Sequence, residues 1–311
     1  MIIDVHTHLY PLSWAPLGRM PEDMFDVDGL IARLDAGGVD VAIVSDPHIW
    51  FGDLDVCDIA QVREYNDFVA ELRERTNGRL IGLGTVVPWR GIEHIAEARR
   101  AISELGLVGL AIPTSDQGRY LDTVPEEFWN TVTELDVPVF IHPAGTVIGQ
   151  ELMGEYRLGE VCGRPLDTTV TLARAILTGV LERHENLKLL CSHAGGAICM
   201  IADRLDFGHE LRDYAALGPW GEVRLTRPPK DYVRRLWLDT VVYGSDPLRL
   251  ALATVGAERL CFGSDGPPVP FPLSRHLGML DELGLPEDAQ SAVLGNNAQT
   301  LFRLNGERPA S

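Results

Sequence analysis

Features that mark secreted, membrane and disulfide-rich proteins are scarce in this sequence. The five cysteines form no Cys-x-x-Cys pair, and their odd number argues against a disulfide framework and for a reducing compartment. No apolar run is long enough to cross a bilayer. The first residues, Met1-Ile2-Ile3-Asp4, lack the basic segment of a secretory signal. We therefore expect a cytoplasmic protein without a membrane partner.

Positive charge is also scarce. The chain has 45 acidic and 27 basic residues, a formal net charge of −18, which repels phosphate backbones and argues against a nucleic-acid partner. Only two of the basic residues are lysines, Lys188 and Lys230. An anionic small-molecule substrate would therefore need local positive charge, from a metal ion or from one or two well-placed arginines.

Short apolar segments alternate with segments of helical spacing along the whole chain. Eight segments are predicted as strands: residues 2–8, 41–45, 80–86, 108–113, 139–142, 187–193, 236–242 and 260–264. Helical spacing lies between them, with one helix ending at Gly37, one near Asn77-Gly78, and others over residues 95–105 and 128–135.

Eight strand–helix units predict a closed (β/α)8 TIM-like barrel, an α/β fold with its site at the carboxyl ends of the strands. An open doubly wound sheet is the alternative, but its usual GxGxxG loop after the first strand is absent. We expect a single domain over residues 1–304 and a frayed tail over residues 305–311. Three long connections, residues 9–28, 145–168 and 207–235, are candidate lids or contact surfaces.

His6 and His8 close the first predicted strand. A spacing of two places both imidazoles on one face of a strand, which in a barrel is the interior, and Asp4 shares that face one layer deeper. Two histidines at the mouth of a barrel can chelate one ion. Two polar residues that cap the barrel explain an HxH pair equally well.

Three more polar side chains end other predicted strands. His142 precedes Pro143 at the end of the fifth strand, His193 ends the sixth, and Asp265 follows the eighth. Each alone could be structural, Asp265 as a turn residue before Gly-Pro. Together at one end of a barrel, such residues indicate a metal site, and three imidazoles with one carboxylate suit Zn²⁺, Mn²⁺ or Fe²⁺. Neither lysine ends a strand, where a carboxylated lysine could bridge a second ion, so one metal is expected.

The motifs together resemble the amidohydrolase superfamily, in the branch of aminocarboxymuconate-semialdehyde decarboxylase and related benzoate decarboxylases. Asp-Val-His-Thr-His resembles the first-strand DxHxH motif, and Phe-Ile-His-Pro resembles the segment of the fifth-strand histidine. Ser-His-Ala-Gly-Gly resembles HxGG, and Gly-Ser-Asp-Gly-Pro the eighth-strand aspartate. The likeness extends over nearly the whole chain.

The resemblance implies roles for particular residues. It implies that His6, His8, His142 and Asp265 are metal ligands and that His193 is an acid–base residue. It also implies a homodimer in which Arg212 reaches the substrate carboxylate of the partner. A solvent-exposed helix arginine is an equally good reading of Arg212.

Nonoxidative decarboxylation of a small unsaturated or aromatic carboxylic acid is the leading hypothesis. Asp265 and His193 are the candidate proton donors. His48, Trp50 and Trp89 could line an aromatic substrate pocket, or could pack beneath loops. Hydrolysis of an amide, ester or lactone, or hydration of a double bond, would use the same site. A metal-bound barrel without catalytic activity is the third hypothesis.

Overall fold

A computed structural model describes residues 1–17, 21–45, 58–214, 221 and 223–304 of the 311-residue chain. Among these residues, eight consecutive parallel strand segments form the centre of the fold. They are Ile3–His8, Val41–Ser45, Leu80–Gly82 with Gly84–Thr85, Leu110–Pro113, Pro138–His142, Lys188–Cys191, Trp237–Asp239 and Leu260–Cys261. We number these barrel strands 1 to 8 in chain order.

Backbone hydrogen bonds join every neighbouring pair of barrel strands. Strands 1, 2 and the first half of strand 3 pair in parallel, and so do the second half of strand 3 and strands 4 to 8. Strand 8 returns to strand 1, where Val5 donates to Phe262 and Asp265 donates to His6, at 2.9 and 2.8 Å. Because the last strand pairs with the first, the sheet is closed, and the predicted (β/α)8 barrel is confirmed.

Strand 3 was predicted as one segment over residues 80–86, but it is divided at Leu83. Before this point strand 3 pairs with strand 2, and after it Gly84 donates to the Gly109 carbonyl at 2.9 Å. Glycines on both sides of the break allow helices to pack closely on the sheet. A Cβ on Gly82 would lie 2.6 Å from the Val69 side chain, and one on Gly84 would lie 2.7 Å from Ala101.

Helices cover the outside of the barrel in the described part of the chain. The longer ones are Val27–Gly37, Ile59–Arg75, Ile92–Ser103, Glu126–Leu135, Arg164–Leu177, Ile198–Glu210, Ser245–Val255 and Leu273–Asp281, and the short ones are Val180–Arg183, Pro229–Val233, Glu287–Ser291 and Asn297–Leu301. Their apolar faces pack on the strands and enclose a continuous core of Leu, Ile, Val and aromatic side chains, Trp129 and Phe128 among them. No described helix is long and apolar enough to span a membrane.

Other element boundaries differ from the predicted ones by a few residues. The helix expected to reach Leu105 ends at Ser103, and strands 6 and 7 are shorter than predicted, ending at Cys191 and Asp239. Lys230, expected in a loop, lies in the short helix Pro229–Val233. A hairpin of Ser115–Asp116 with Arg119–Tyr120 follows strand 4 and was not predicted.

The last part of the chain forms hydrogen bonds with strand 8 and with the residues beside it. Asn297 donates its amide hydrogens to the carbonyls of Ala257 and Leu260, both at 2.7 Å, and Phe262 donates to the Val293 carbonyl at 2.9 Å. These bonds fix the base of the strand that leads to Asp265.

Candidate metal centre

Four polar side chains meet at the carboxyl ends of three barrel strands. His6 and His8 come from strand 1, His142 from strand 5, and Asp265 from the segment that continues strand 8. All four residues are buried, and one ligand atom of each lies within 4.8 Å of those of the others. It is the only such group found among the described residues. The four residues that the sequence analysis named as candidate ligands therefore lie together in the structure.

The nitrogens of two histidines and one carboxylate oxygen lie close together in this cluster. The Nε2 atoms of His6 and His8 are 3.1 Å apart, and they lie 3.3 and 3.2 Å from Oδ1 of Asp265. Ligands of a tetrahedral Zn²⁺ ion at about 2.1 Å are about 3.4 Å apart, which is close to these three distances, so the donor atoms are spaced as such an ion requires.

The outer nitrogen of each of these histidines already has an acceptor. Nδ1 of His6 is 2.6 Å from Oδ2 of Asp239, and Nδ1 of His8 is 3.1 Å from the Ser45 carbonyl oxygen. Nδ1 of His142 is 3.1 Å from the Pro143 carbonyl oxygen. Because each Nδ1–H is donated outward, Nε2 is in each ring the nitrogen that can offer its lone pair to a metal ion, which would displace any proton there.

The charges in the cluster favour a bound cation. Burial alone lowers the pKa of His6, but the charge of Asp265 and the hydrogen bond with Asp239 raise it to about 10. Burial disfavours the charged form of Asp265, yet the His6 charge and hydrogen bonds from neighbouring histidines keep its pKa well below the usual value. Burial lowers the pKa of His8 and, more strongly, of His142. Neutral His8 and His142 beside two carboxylates form a donor set that fits a divalent ion.

His193 lies beside this cluster and outside it. Its Nε2 is 3.5 Å from Oδ2 of Asp265, the carboxylate oxygen that faces away from His6 and His8. The residues from His193 to Gly196 all have positive φ, between 51° and 72°, so the backbone turns sharply after strand 6. Glycine adopts this conformation without strain. A Cβ on Gly196 would lie 2.1 Å from the Pro165 carbonyl oxygen, so this glycine is also needed for space.

Two residues of the site were not identified from the sequence. Asp239 ends strand 7, is fully buried and contacts His6, and Tyr243 donates its hydroxyl to Oδ2 of Asp265 at 3.2 Å. Asp239 carries a signal that could have been read, since an ionisable residue within an apolar strand is rarely buried without a partner. Tyr243 carries none, because it lies in an ordinary Tyr-Gly-Ser-Asp loop.

Comparison with known proteins agrees with this arrangement of strands and polar residues. The profile of the amidohydrolase family (Amidohydro_2) matches residues 3–304. The chain belongs to the amidohydrolase family.

Similar proteins of known activity share most of the length of this amidohydrolase. A 2-amino-3-carboxymuconate-6-semialdehyde decarboxylase of Dictyostelium discoideum is 28% identical over 343 residues, which covers 97% of this chain and 92% of the relative. A gamma-resorcylate decarboxylase of Rhodococcus jostii is 26% identical over a match that covers 78% of this chain and 76% of the relative. The fold matches the crystal structure of a 5-carboxyvanillate decarboxylase of Novosphingobium aromaticivorans, complexed with manganese and 4-hydroxy-3-methoxy-5-nitrobenzoic acid. The two structures superpose with a TM-score of 0.84 and 21% sequence identity, over 97% of this chain and 96% of the other.

The other predicted site residues of the amidohydrolase lie in different surroundings. Trp89 follows strand 3, is 7% exposed and donates its indole N–H to Thr123 at 3.0 Å. Arg212 lies in the turn Leu211–Asp213 after the helix Ile198–Glu210, where its guanidinium contacts His209. His48 and Trp50 lie outside the described residues.

Both lysines are paired away from the metal ligands. Nζ of Lys188 is 2.6 Å from Oδ1 of Asp136, at the amino end of strand 6, and Nζ of Lys230 is 2.5 Å from Asp203. Neither is placed to bridge a second ion in the amidohydrolase, in agreement with the expected single metal.

Proposed function

We propose that this amidohydrolase is a metal-dependent nonoxidative decarboxylase of a small unsaturated or aromatic carboxylic acid. The observation that carries the proposal is the convergence of His6, His8, His142 and Asp265, with His193 beside them. This arrangement supports metal chemistry in general. The named activities of the relatives, which are decarboxylases of a muconate semialdehyde and of a resorcylate, favour the carboxy-lyase reaction.

We assign the four clustered residues as ligands of one divalent ion, with Zn²⁺ as the first candidate. Three imidazole nitrogens and one carboxylate oxygen are a usual donor set for Zn²⁺. Mn²⁺ is the alternative, because the similar carboxyvanillate decarboxylase was crystallised with manganese. When bound, the ion would act as a Lewis acid towards a carboxylate or an adjacent hydroxyl oxygen of the substrate.

The residues of the chain would supply orientation and a proton. In decarboxylation the bond between the substrate carbon and the carboxylate breaks, CO2 leaves, and the electron pair stays on the carbon, which must then take up a proton. Nε2 of His193 lies at the mouth and its side chain is 11% exposed, so it can give this proton and regain one from solvent. Asp265 is the second candidate donor. Tyr243 holds Oδ2 of Asp265 through its hydroxyl.

Substrate contacts away from the metal are proposed for Arg212, His48, Trp50 and Trp89. The aromatic side chains would pack against a planar substrate, and a guanidinium would bind a carboxylate. For Arg212 this role requires a homodimer. The helix that precedes Arg212 supports one, since Met200 and Phe207 are 77% and 56% exposed and lie seven residues apart, on one face. Apolar side chains exposed in this way are typical of a surface that a second copy covers.

We also propose that residues 1–304 form one domain and that the protein is cytoplasmic; the predicted tail over residues 305–311 lies outside the described residues. The family profile extends over residues 3–304 and supports the single domain. Four of the cysteines, Cys162, Cys191, Cys199 and Cys261, are free thiols, which agrees with a reducing compartment.

Hydrolysis of an amide, ester or lactone, or hydration of a double bond, is the second candidate function. A metal ion held by the same cluster would lower the pKa of a water molecule, and His193 or Asp265 would be the base. The two reactions differ in where the oxygen of water goes. Decarboxylation puts no oxygen from water into the organic product, whereas hydrolysis and hydration each add one.

The test is an assay of the metal-reconstituted protein in oxygen-18 water. The panel contains hydroxybenzoates, muconate-like acids and small lactones, with Asp265→Ala as the blank. Release of CO2 by the wild type alone is the expected result. Oxygen-18 in the product without release of CO2 would instead establish the hydrolase or hydratase.

A further inference from the structure

Asp239 occupies an unusual position between the metal ligands and the acid–base residue. It ends strand 7 and is fully buried. Its Oδ2 is 2.6 Å from Nδ1 of His6, a residue 233 positions away in the chain. Its Oδ1 accepts the backbone N–H of Ala194 at 2.9 Å and that of Val241 at 3.1 Å. One carboxylate thus satisfies three donors, one in strand 1 and two in the segments that follow strands 6 and 7.

Asp239 reaches His6 across strand 8, which lies between strands 7 and 1. In the segment that continues strand 8, the residue at this level is Gly263. A Cβ at Gly263 would lie 3.0 Å from Cβ of His6 and 3.3 Å from Cβ of Asp239, closer than most packed side chains allow. The absence of a side chain at Gly263 therefore permits the contact between Asp239 and His6.

The bond to Ala194 holds the turn that carries His193. This turn has four consecutive residues with positive φ, two of which, His193 and Ala194, are not glycine. Such a conformation costs free energy in non-glycine residues and persists only when surrounding contacts hold it. The hydrogen bond from Ala194 to Asp239 and that from Ala197 to Thr169, at 2.8 Å, are contacts of this kind.

We propose that Asp239 is a positioning residue that couples the metal ligand His6 to the turn of His193. Its two oxygens have separate tasks. Oδ2 fixes the tautomer and orientation of His6, so that Nε2 points to the metal, and Oδ1 fixes the turn from which His193 approaches Asp265. The inference rests on the metal site proposed above. It goes beyond that site by assigning the alignment of two functional histidines to one carboxylate.

The test compares variants of Asp239 with a matched variant elsewhere. Asp239→Asn is nearly isosteric but offers one acceptor oxygen to three donors, and Asp239→Ala offers none. Asp167→Asn is the control, because Asp167 is also fully buried and also accepts a backbone N–H, from Ile148 at 3.0 Å, and a tyrosine hydroxyl, from Tyr120 at 3.1 Å. Its partners in the described structure, Thr114, Tyr120 and Ile148, belong to the hairpin after strand 4 and to the connections after strands 4 and 5, and none is a ligand histidine.

Two measurements on each protein need no substrate. The first is the dissociation constant for Zn²⁺, by competition with a chromogenic chelator. We expect it to rise about 10- to 100-fold in both Asp239 variants, as for other residues that orient a metal ligand, and to stay at the wild-type value in Asp167→Asn. The second is amide hydrogen exchange of the peptide over residues 193–197 in metal-free protein, which we expect to be faster in Asp239→Ala only.

Either of two results would overturn the proposal. One is wild-type Zn²⁺ affinity in Asp239→Asn, which would show that His6 does not need this acceptor. The other is equal exchange at residues 193–197 in Asp239→Ala and Asp167→Asn, which would show that the turn does not depend on it. If the wild type incorporates oxygen-18 into a product without releasing CO2 and Asp239→Asn still loses Zn²⁺ affinity, the decarboxylase is refuted and the role of Asp239 stays intact.

Discussion

One buried histidine outside the metal cluster, His276, is expected to contribute to the loss of stability of this protein on acidification. It lies in the helix Leu273–Asp281 that follows strand 8, and it is 1% exposed. Neither ring nitrogen has a hydrogen-bond partner within the described structure, and the ring faces Tyr243 at 6.2 Å between centroids. Burial, together with the nearby charge of Arg33, lowers the pKa of His276 from 6.5 to about 4.

The direction and size of the effect follow from this difference in pKa. The folded protein binds fewer protons at His276 than the unfolded chain does, so its contribution to stability is complete above pH 6.5 and is lost as the pH falls towards 4. At pH 5 the unfolded histidine is almost fully protonated and the folded one mostly neutral, which removes about 2 kcal/mol of stability. The complete loss, below pH 4, is about 3 kcal/mol.

Urea unfolding of the wild type and of His276→Leu at pH 7.5 and pH 5 tests this prediction. Leucine removes the titrating ring and its two unpartnered nitrogens, so we expect little change in stability at pH 7.5. Between pH 7.5 and pH 5 the wild type should lose about 2 kcal/mol more than the variant. Metal-free protein is used for both, so that release of the metal does not contribute. Equal losses in the two proteins would refute the neutral, buried state of His276.

Three further predictions concern the metal centre. Elemental analysis should show that Asp265→Ala has lost most of its metal and that His193→Ala has kept it. His193→Ala should turn over about 10²- to 10⁴-fold more slowly than the wild type. A metal-free His193→Ala protein would contradict the role given to His193. Gly263→Ala should lower stability to urea by about 1–3 kcal/mol, because the added methyl group crowds His6 and Asp239; wild-type stability would show that the strands can move apart. Removal of the metal by a chelator should lower the unfolding temperature, and Zn²⁺ should restore it. Zn²⁺ at a thousandfold excess over Kd should raise the free energy of unfolding by about 4 kcal/mol. An unchanged unfolding temperature would mean that the ion does not bind the folded site.

The sequence determined the order of the elements and the four candidate ligands. Strand and helix periodicities are local properties, and His6, His8, His142, His193 and Asp265 could be placed because each ends or follows a predicted strand. In a barrel, all such positions come to the same mouth. The hairpin over residues 115–120 also had a local signal, the glycine Gly118. Gln117 and Gly118 form a two-residue turn with positive φ at both positions, a conformation that glycine favours.

Only the tertiary structure decided which polar groups meet across the barrel. Strand 3 is divided because its two halves pair with different neighbours, a consequence of closure that no local pattern contains. The contact of Asp239 with His6 depends on strand 8 lying between their strands and on Gly263 at the same level, and Tyr243 reaches Asp265 from a loop without a distinctive motif. The sequence thus predicts side chains whose place is set by their position at the end of a strand, whereas the partners that orient them are set by contacts between distant elements, which closure of the sheet brings together.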